Sequence, residues 1–155
     1  MNTKTLYLTD SYKKTCGAKI ISVYSQGCLT RIFLDQTVFY PQGGGQPSDQ
    51  GSIWNNNGKL EVNQVLIKNG EVVHIGKIDG VLHEGDQVNC SIDWKRRYDN
   101  MRVHSAGHVL NEAVKQIFPD LYPIEGEHGK KAYIKYQGNL QSISEKLILD
   151  KANKL

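Results

Sequence analysis

His104 and His108 stand four residues apart in the stretch Asp93 to Leu110, D-W-K-R-R-Y-D-N-M-R-V-H-S-A-G-H-V-L. In an α-helix that spacing sets both imidazoles on one face, one turn apart. Two nitrogen ligands so placed can take one divalent metal, most often zinc. The plain alternative is a pair of partly buried imidazoles with satisfied hydrogen bonds. Nothing else in the helix asks for two histidines on its apolar face, and the charged side chains of Lys95, Arg96, Arg97 and Arg102 crowd the turns before them. The residue after His104 is Ser105, so the general-base glutamate of a metalloprotease H-E-x-x-H is not supplied.

A second stretch, Phe39 to Gly51, reads F-Y-P-Q-G-G-G-Q-P-S-D-Q-G. Gly43, Gly44 and Gly45 allow backbone conformations barred to other residues and a close approach of main-chain N–H groups to a ligand. No Gly-Lys-Ser/Thr follows, which excludes a phosphate loop, and Ser48 stands where a dinucleotide fingerprint needs glycine. A tight structural loop that closes a barrel explains the same glycines equally well.

The elements that must carry these residues follow from the hydrophobic period. From Lys4 to about Trp94 the apolar residues come in short alternating runs, Ala18 to Tyr24, Leu29 to Leu34, Leu60 to Ile67 and Val72 to Ile75, separated by Gly and Asn clusters. Alternation of this kind predicts an all-β unit, with Asn57-Gly58 and Asn69-Gly70 as hairpin turns. After Asp93 the period changes to 3.6: Trp94, Tyr98, Met101, His104 or Ser105, His108, Ala113, Val114, Ile117 and Phe118 follow one helical stripe. Asp93 is the expected N-cap and Pro119 the stop. Gly107 inside this helix costs about 1 kcal/mol relative to Ala, so a small residue there leaves room for a ligand or another backbone. Past a loop over Pro119 to Gly129, a strand is expected at Ala132 to Tyr136. Ser142-Ile143-Ser144-Glu145 then has the S-x-x-E spacing of a capping box that opens a last helix.

The predicted fold is therefore α+β: a small antiparallel β-barrel at residues 1–94, then an incomplete α/β unit at 95–155. One strand and two helices give that second unit little to bury itself against. Coverage by the barrel, by a second copy of the chain at the exposed edge, or by chain beyond Leu155 is expected.

At 155 residues, 39% hydrophobic and 23% charged, the composition is that of a folded globular chain rather than a disordered one. The net charge of +3 is too small to identify a nucleic-acid binder. Its distribution says more: Lys95, Arg96, Arg97 and Arg102 form one basic cluster, and Lys130, Lys131 and Lys135 another, and both could meet phosphates. Either cluster alone reads equally as a solvated face. Cys16, Cys28 and Cys90, odd in number and without C-x-x-C spacing, exclude a disulfide framework. No apolar run approaches the roughly 18 residues of a membrane span, and there is no secretory signal core, so the reducing cytoplasm is the expected setting. His74, His83 and His128 lack partners in the sequence and are expected at the surface or in turns. Cys28 and Cys90 are expected in strands, and any of these five residues could complete a metal site, with nothing in the sequence to choose among them.

Together the two motifs resemble the editing domain of alanyl-tRNA synthetase and its free-standing relatives, the AlaX proteins, most closely the larger type that retains the barrel. The resemblance covers nearly the whole chain, in motif order as well as spacing. It implies a second unit of the threonyl/alanyl-tRNA synthetase second-domain type. It also implies hydrolysis of the ester that joins a wrong amino acid, serine or glycine, to the acceptor end of alanine tRNA. By the resemblance His104 and His108 match the first zinc-ligand pair, and Gly43, Gly44, Gly45 and Gln46 match the glycine-rich loop near the editing pocket. The family completes its zinc site with a later C-x-x-x-H motif that is absent from this sequence. The chain is thus expected to be a trans-editing hydrolase or a fragment of one, with Ser105 and the loop N–H groups steadying the carbonyl oxygen. The basic clusters would hold the tRNA. The alternatives are a non-catalytic tRNA- or protein-binding remnant of such a domain and a zinc hydrolase of another small ester or amide.

Overall fold

The computed structural model describes residues 3–139 and 144–155, so Ser142 and Ile143 of the expected capping box lie outside the described residues. The chain divides into two compact units: Met1–Gly43 with Pro47–Arg97, and Gly44–Gln46 with Tyr98–Leu155.

The first unit opens with β1 (Lys4–Thr5) and a single turn, α1 (Leu6–Thr9). There follow β2 (Thr15–Gln26), β3 (Leu29–Leu34), β4 (Gln36–Thr37), β5 (Gly51–Trp54), β6 (Gly58–Lys68), β7 (Glu71–Gly80) and β8 (Gln87–Ile92). β1 pairs with β4 in parallel, while six strands close an antiparallel barrel in the order β2-β3-β7-β6-β5-β8. The alternation seen in the sequence is the inward set. Ala18 and Ile20, Ile32 and Leu34, Leu60 and Val62, and Val88, Cys90 and Ile92 all point to one core with Val38, Phe39, Ile53 and Val65. Shifts of register after Ile20 and after Val62 bend β2 and β6 where the sheet has to curl. Asn69 and Gly70 form the β6–β7 turn, both at positive φ, as Asn-Gly predicts. The β5–β6 turn is built one step earlier than Asn57-Gly58 suggests: the Asn55 side chain accepts from the N–H groups of Asn57 and Gly58, and Gly58 already begins β6.

Three expectations for this unit are corrected. Cys28 lies exposed in the β2–β3 turn, not in a strand, because Gly27 and Cys28 carry the reversal. His74 is wholly buried, not a surface residue. Its Nδ1 donates to Ile32 O at 3.0 Å, so Nε2 accepts from Thr37 Oγ1 at 2.8 Å. Burial lowers its pKa to about 4, against a smaller rise from the Ile32 bond. Arg97 is likewise no surface cation. Its Nε donates to both oxygens of the buried Asp49 at 2.9 Å, its Nη1 to Ser11 O at 3.0 Å and its Nη2 to Val38 O at 2.6 Å. The same Asp49 exchanges backbone and side-chain hydrogen bonds with Tyr40, at 3.0 and 2.8 Å, which ties the two ends of the glycine-rich stretch together.

A long helix, α2 (Trp94–Ile117), leaves β8 through Asp93, whose Oδ1 accepts from the Arg96 N–H at 3.1 Å as an N-cap should. It stops two residues before Pro119. In the second unit this helix buries Ala113 and Val114, and Leu121 is buried beyond it. Next comes β9 (Tyr122–Glu127), inside the stretch expected to be a loop, paired antiparallel with β10 (Tyr133–Gln137). The expected lone strand is therefore one half of a ribbon. Pro123 and Gly126 disguise β9 in the sequence, and a register shift at Lys135/Tyr136 accommodates the proline. The last helix, α3 (Glu145–Ala152), is capped by Ser144, whose side chain accepts from the Leu147 N–H at 3.3 Å.

Candidate functional site

The site lies in the second unit, which contains both the tip of the glycine-rich loop and the histidine helix. Gln46, only 4% exposed, places Oε1 2.9 Å from His104 Nδ1. An amide oxygen only accepts, so Nδ1 carries the proton and Nε2 is left with its lone pair. Among the described residues Nε2 takes no hydrogen bond. The His104 ring is stacked against two others: His108, 4.9 Å between centroids with planes 21° apart, and His128, 4.6 Å and 11°. His108 and His128 border a cavity of about 300 Å³, together with Gly107, Asn111, Gly126 and Ile134.

Two glycines make this stack possible. A Cβ on Gly107 would sit 2.5 Å from His128 Cε1, so the missing side chain on α2 is the seat of an imidazole. A Cβ on Gly45 would sit 2.6 Å from Gly126 O and 2.9 Å from His128 Cδ2, and Gly45 also holds a positive φ of 77°. Its carbonyl accepts from the His128 N–H at 2.7 Å. Backbone and ring of His128 are thus fixed between the loop tip and the helix.

Burial, and then the neighbouring His128 and His108 rings, lowers the His104 pKa from its ordinary value, so the neutral, ligating form is favoured. The donor chemistry suits a divalent cation. The number of donors falls short, since among the described residues no group of three His, Cys, Asp or Glu side chains is arranged to hold a metal. His104 and His108 alone are two donors of the three that a catalytic zinc ordinarily takes from protein. Cys90, a conceivable extra ligand, is in the barrel core.

The family model for class II (A) tRNA synthetases matches residues 4–96. The chain belongs to that family. Among relatives of this tRNA synthetase family member, the alanyl-tRNA editing protein AlaX-L of Pyrococcus horikoshii is 40% identical over 73% of this chain and 28% of its own length. AlaX-M of the same organism is 36% identical over 74% of this chain and 50% of its own. The alanine–tRNA ligase of Sulfurisphaera tokodaii is 39% identical over 81% of this chain and 13% of its own. The chain spans half or less of the length of these curated relatives.

In this class II (A) synthetase relative the residues singled out from the sequence separate into those that meet and those that do not. Gly44, Gly45, Gln46, His104 and His108 share the second unit; Gly43 falls in the first, where its carbonyl accepts from Tyr40 Oη at 3.4 Å. Ser105 is exposed on α2. Of the basic residues, Lys95 and Arg102 are exposed, and Arg102 stacks over Tyr98 at 5.9 Å. Arg96 is half-buried with Nε on Ser48 O at 3.1 Å, and Arg97 is out of the cluster altogether. Lys130, Lys131 and Lys135 are exposed, Lys135 with Glu125 Oε2 at 3.9 Å. His128, expected at the surface or in a turn and offered with Cys28 and Cys90 as one possible further ligand, is the residue whose place against His104 the sequence did not single out. The signal for it was indirect: a glycine within a helix, four residues from neither histidine, whose vacancy another group had to fill.

Proposed function

We propose that the chain carries part of an alanyl-tRNA editing activity, hydrolysing the ester of serine or glycine misattached to alanine tRNA. The observation that carries this reading is the Gln46–His104 contact, which joins the two motifs of the editing family in one unit. The kinship with alanyl-tRNA editing proteins of the AlaX type supports a charged tRNA as the substrate.

In this reading zinc would be held by His104 and His108. When bound, it would supply a Lewis acid that polarises the ester or acidifies a water. The residues of the chain do the rest. Gln46 fixes the tautomer and the plane of His104, the role an outer hydrogen-bond partner plays for a ligating imidazole. His128 packs beside that ring, 4.6 Å between centroids. Ser105 and the N–H groups of the Gly43 to Gln46 loop steady the carbonyl oxygen as charge develops on it. Arg102, Lys130, Lys131 and Lys135, with Lys95 and Arg96, would contact phosphates of the acceptor end. Binding would then weaken steeply as salt rises.

The test is hydrolysis of seryl- and glycyl-tRNA charged on alanine tRNA, with an unrelated amino-acid ester as comparison. Replacing both histidines, His104→Ala with His108→Ala, should slow hydrolysis at least about 100-fold, since a metal's contribution amounts to several kcal/mol. Undiminished hydrolysis by this variant would remove the histidines from the chemistry. The partial ligand set favours one second reading, a tRNA-binding module without hydrolysis. It would show salt-sensitive tRNA binding with no deacylation in the presence of added zinc.

A further inference from the structure

Cys16 and Cys90 face each other across the β2–β8 ladder, one of the six seams of the closed barrel. Along this ladder Ile92 N–H donates to Lys14 O at 3.1 Å and Ile20 N–H to Asp86 O at 2.9 Å. Antiparallel pairs alternate with a period of two, so Cys16 and Cys90 are also a hydrogen-bonded pair, with Cα atoms about 5.5 Å apart. Both stand at inward positions of their strands. Cys90 is completely buried in the core, and Cys16 packs against it half-buried. Disulfides join residues whose Cα atoms lie roughly 4.4–6.8 Å apart with their Cβ atoms on one side. This pair meets both conditions.

The two thiols are unlike. Cys90 donates its S–H to the Cys16 sulfur, which is the largest cause that lowers the Cys16 pKa; the Val38 backbone and Lys13 pull the same way. Cys90 is pushed up, first by the proton it keeps in that bond and then by burial. One sulfur is therefore reachable and inclined to the thiolate, the form that reacts. The other waits beside it as a thiol.

We propose that Cys16 and Cys90 are a reversible dithiol–disulfide pair, a modification site whose oxidant is hydrogen peroxide. The Cys16 thiolate attacks one oxygen of the peroxide, the O–O bond breaks, and hydroxide leaves, to be protonated by solvent. The Cys90 sulfur then attacks Cys16 sulfenic acid; the S–O bond breaks and the hydroxyl departs with the Cys90 proton as water. The sulfurs lose two electrons in all, and one peroxide becomes two waters. The new bond staples β2 to β8 and encloses residues 17–89 in one covalent loop. In a reducing compartment a disulfide of this kind is a transient one. The pair is independent of the histidine site, so its fate does not hang on the editing reading.

The test uses the full chain with Cys28→Ser, which removes the exposed thiol, treated with hydrogen peroxide near neutral pH. The expected product is an intact chain lighter by two hydrogens, one linked peptide holding Cys16 and Cys90, and reversal by dithiothreitol. Its thermal midpoint should rise by roughly 10 °C, because the bond closes a long loop in the unfolded chain. In a Cys90→Ser chain, which keeps a hydrogen-bond donor beside Cys16 but no second sulfur, the reaction should stop at Cys16 sulfenic acid, trapped as a dimedone adduct. An unchanged mass, oxygen added to Cys16 without a link, or a link between two copies overturns the proposal; so does a Cys90→Ser chain that gives no adduct.

Discussion

In the barrel, His74 has both ring nitrogens engaged and no exposed surface, whereas in the second unit His104 commits one nitrogen to Gln46 and the other takes no hydrogen bond among the described residues. The same side chain serves two ends because its surroundings differ in what they satisfy. Around His74 the core is dense and the imidazole is a neutral strut between β3 and β4. Around His104 the partners are other imidazoles, the helix face is open at Ser105 and His108, and few side chains of the unit are buried among the described residues. A histidine whose every nitrogen is accounted for is structure, and one with a lone pair left over is a candidate for chemistry.

Arg97→Ala should give the largest change. It leaves Asp49 buried without its cation, and removing one member of a buried pair costs about 3–5 kcal/mol. Urea denaturation would measure it. Arg102→Ala, on the exposed part of the same helix, should stay within about 0.5 kcal/mol. Equal losses for the two arginines would abolish the contrast between strut and surface.

Acid should come next. The His74 pKa is about 4 in the fold and about 6.5 when unfolded, so below the latter value the unfolded chain takes a proton that the folded one refuses. Stability from this group is full above pH 6.5 and is lost as pH falls toward 4, by about 3 kcal/mol in total. The pH dependence of urea unfolding should flatten between those limits in a His74→Leu chain. A wild-type slope that survives the substitution would mean that His74 is not the group that titrates.

The smallest effect on stability belongs to Gly107→Ala. Alanine gains about 1 kcal/mol of helix propensity, while its Cβ would displace the His128 ring. The two should nearly cancel in the unfolding free energy. The imidazole proton resonances of His104 should nonetheless move, because the stacked ring beside them has gone. Unmoved resonances would show that the stack is not a fixed part of the site.

The barrel was legible because alternation writes its inward face directly: Leu29 to Leu34 is β3 residue for residue. The helix was legible from Asp93 to Pro119 for the same reason at the other period. What could not be read was whatever depends on partners distant in sequence. Arg97 looks like its neighbours Lys95 and Arg96 until Asp49, Val38 and Ser11 surround it. β9 carries a proline and a glycine, and only pairing with β10 makes it a strand. His128 has no local pattern at all, and its place is set by two absent side chains elsewhere.

The division of the chain has a consequence for how such a protein can be taken apart. The chain passes from one unit to the other after Gly43, after Gln46 and after Arg97. No single cut separates the units. A truncation that begins at Tyr98 leaves His104 without Gln46, and a barrel expressed alone carries an orphaned loop tip. Any gene rearrangement that moved the histidine helix by itself would part His104 from the Gln46 amide that sets its tautomer, so keeping that contact requires both motifs to be inherited as one piece.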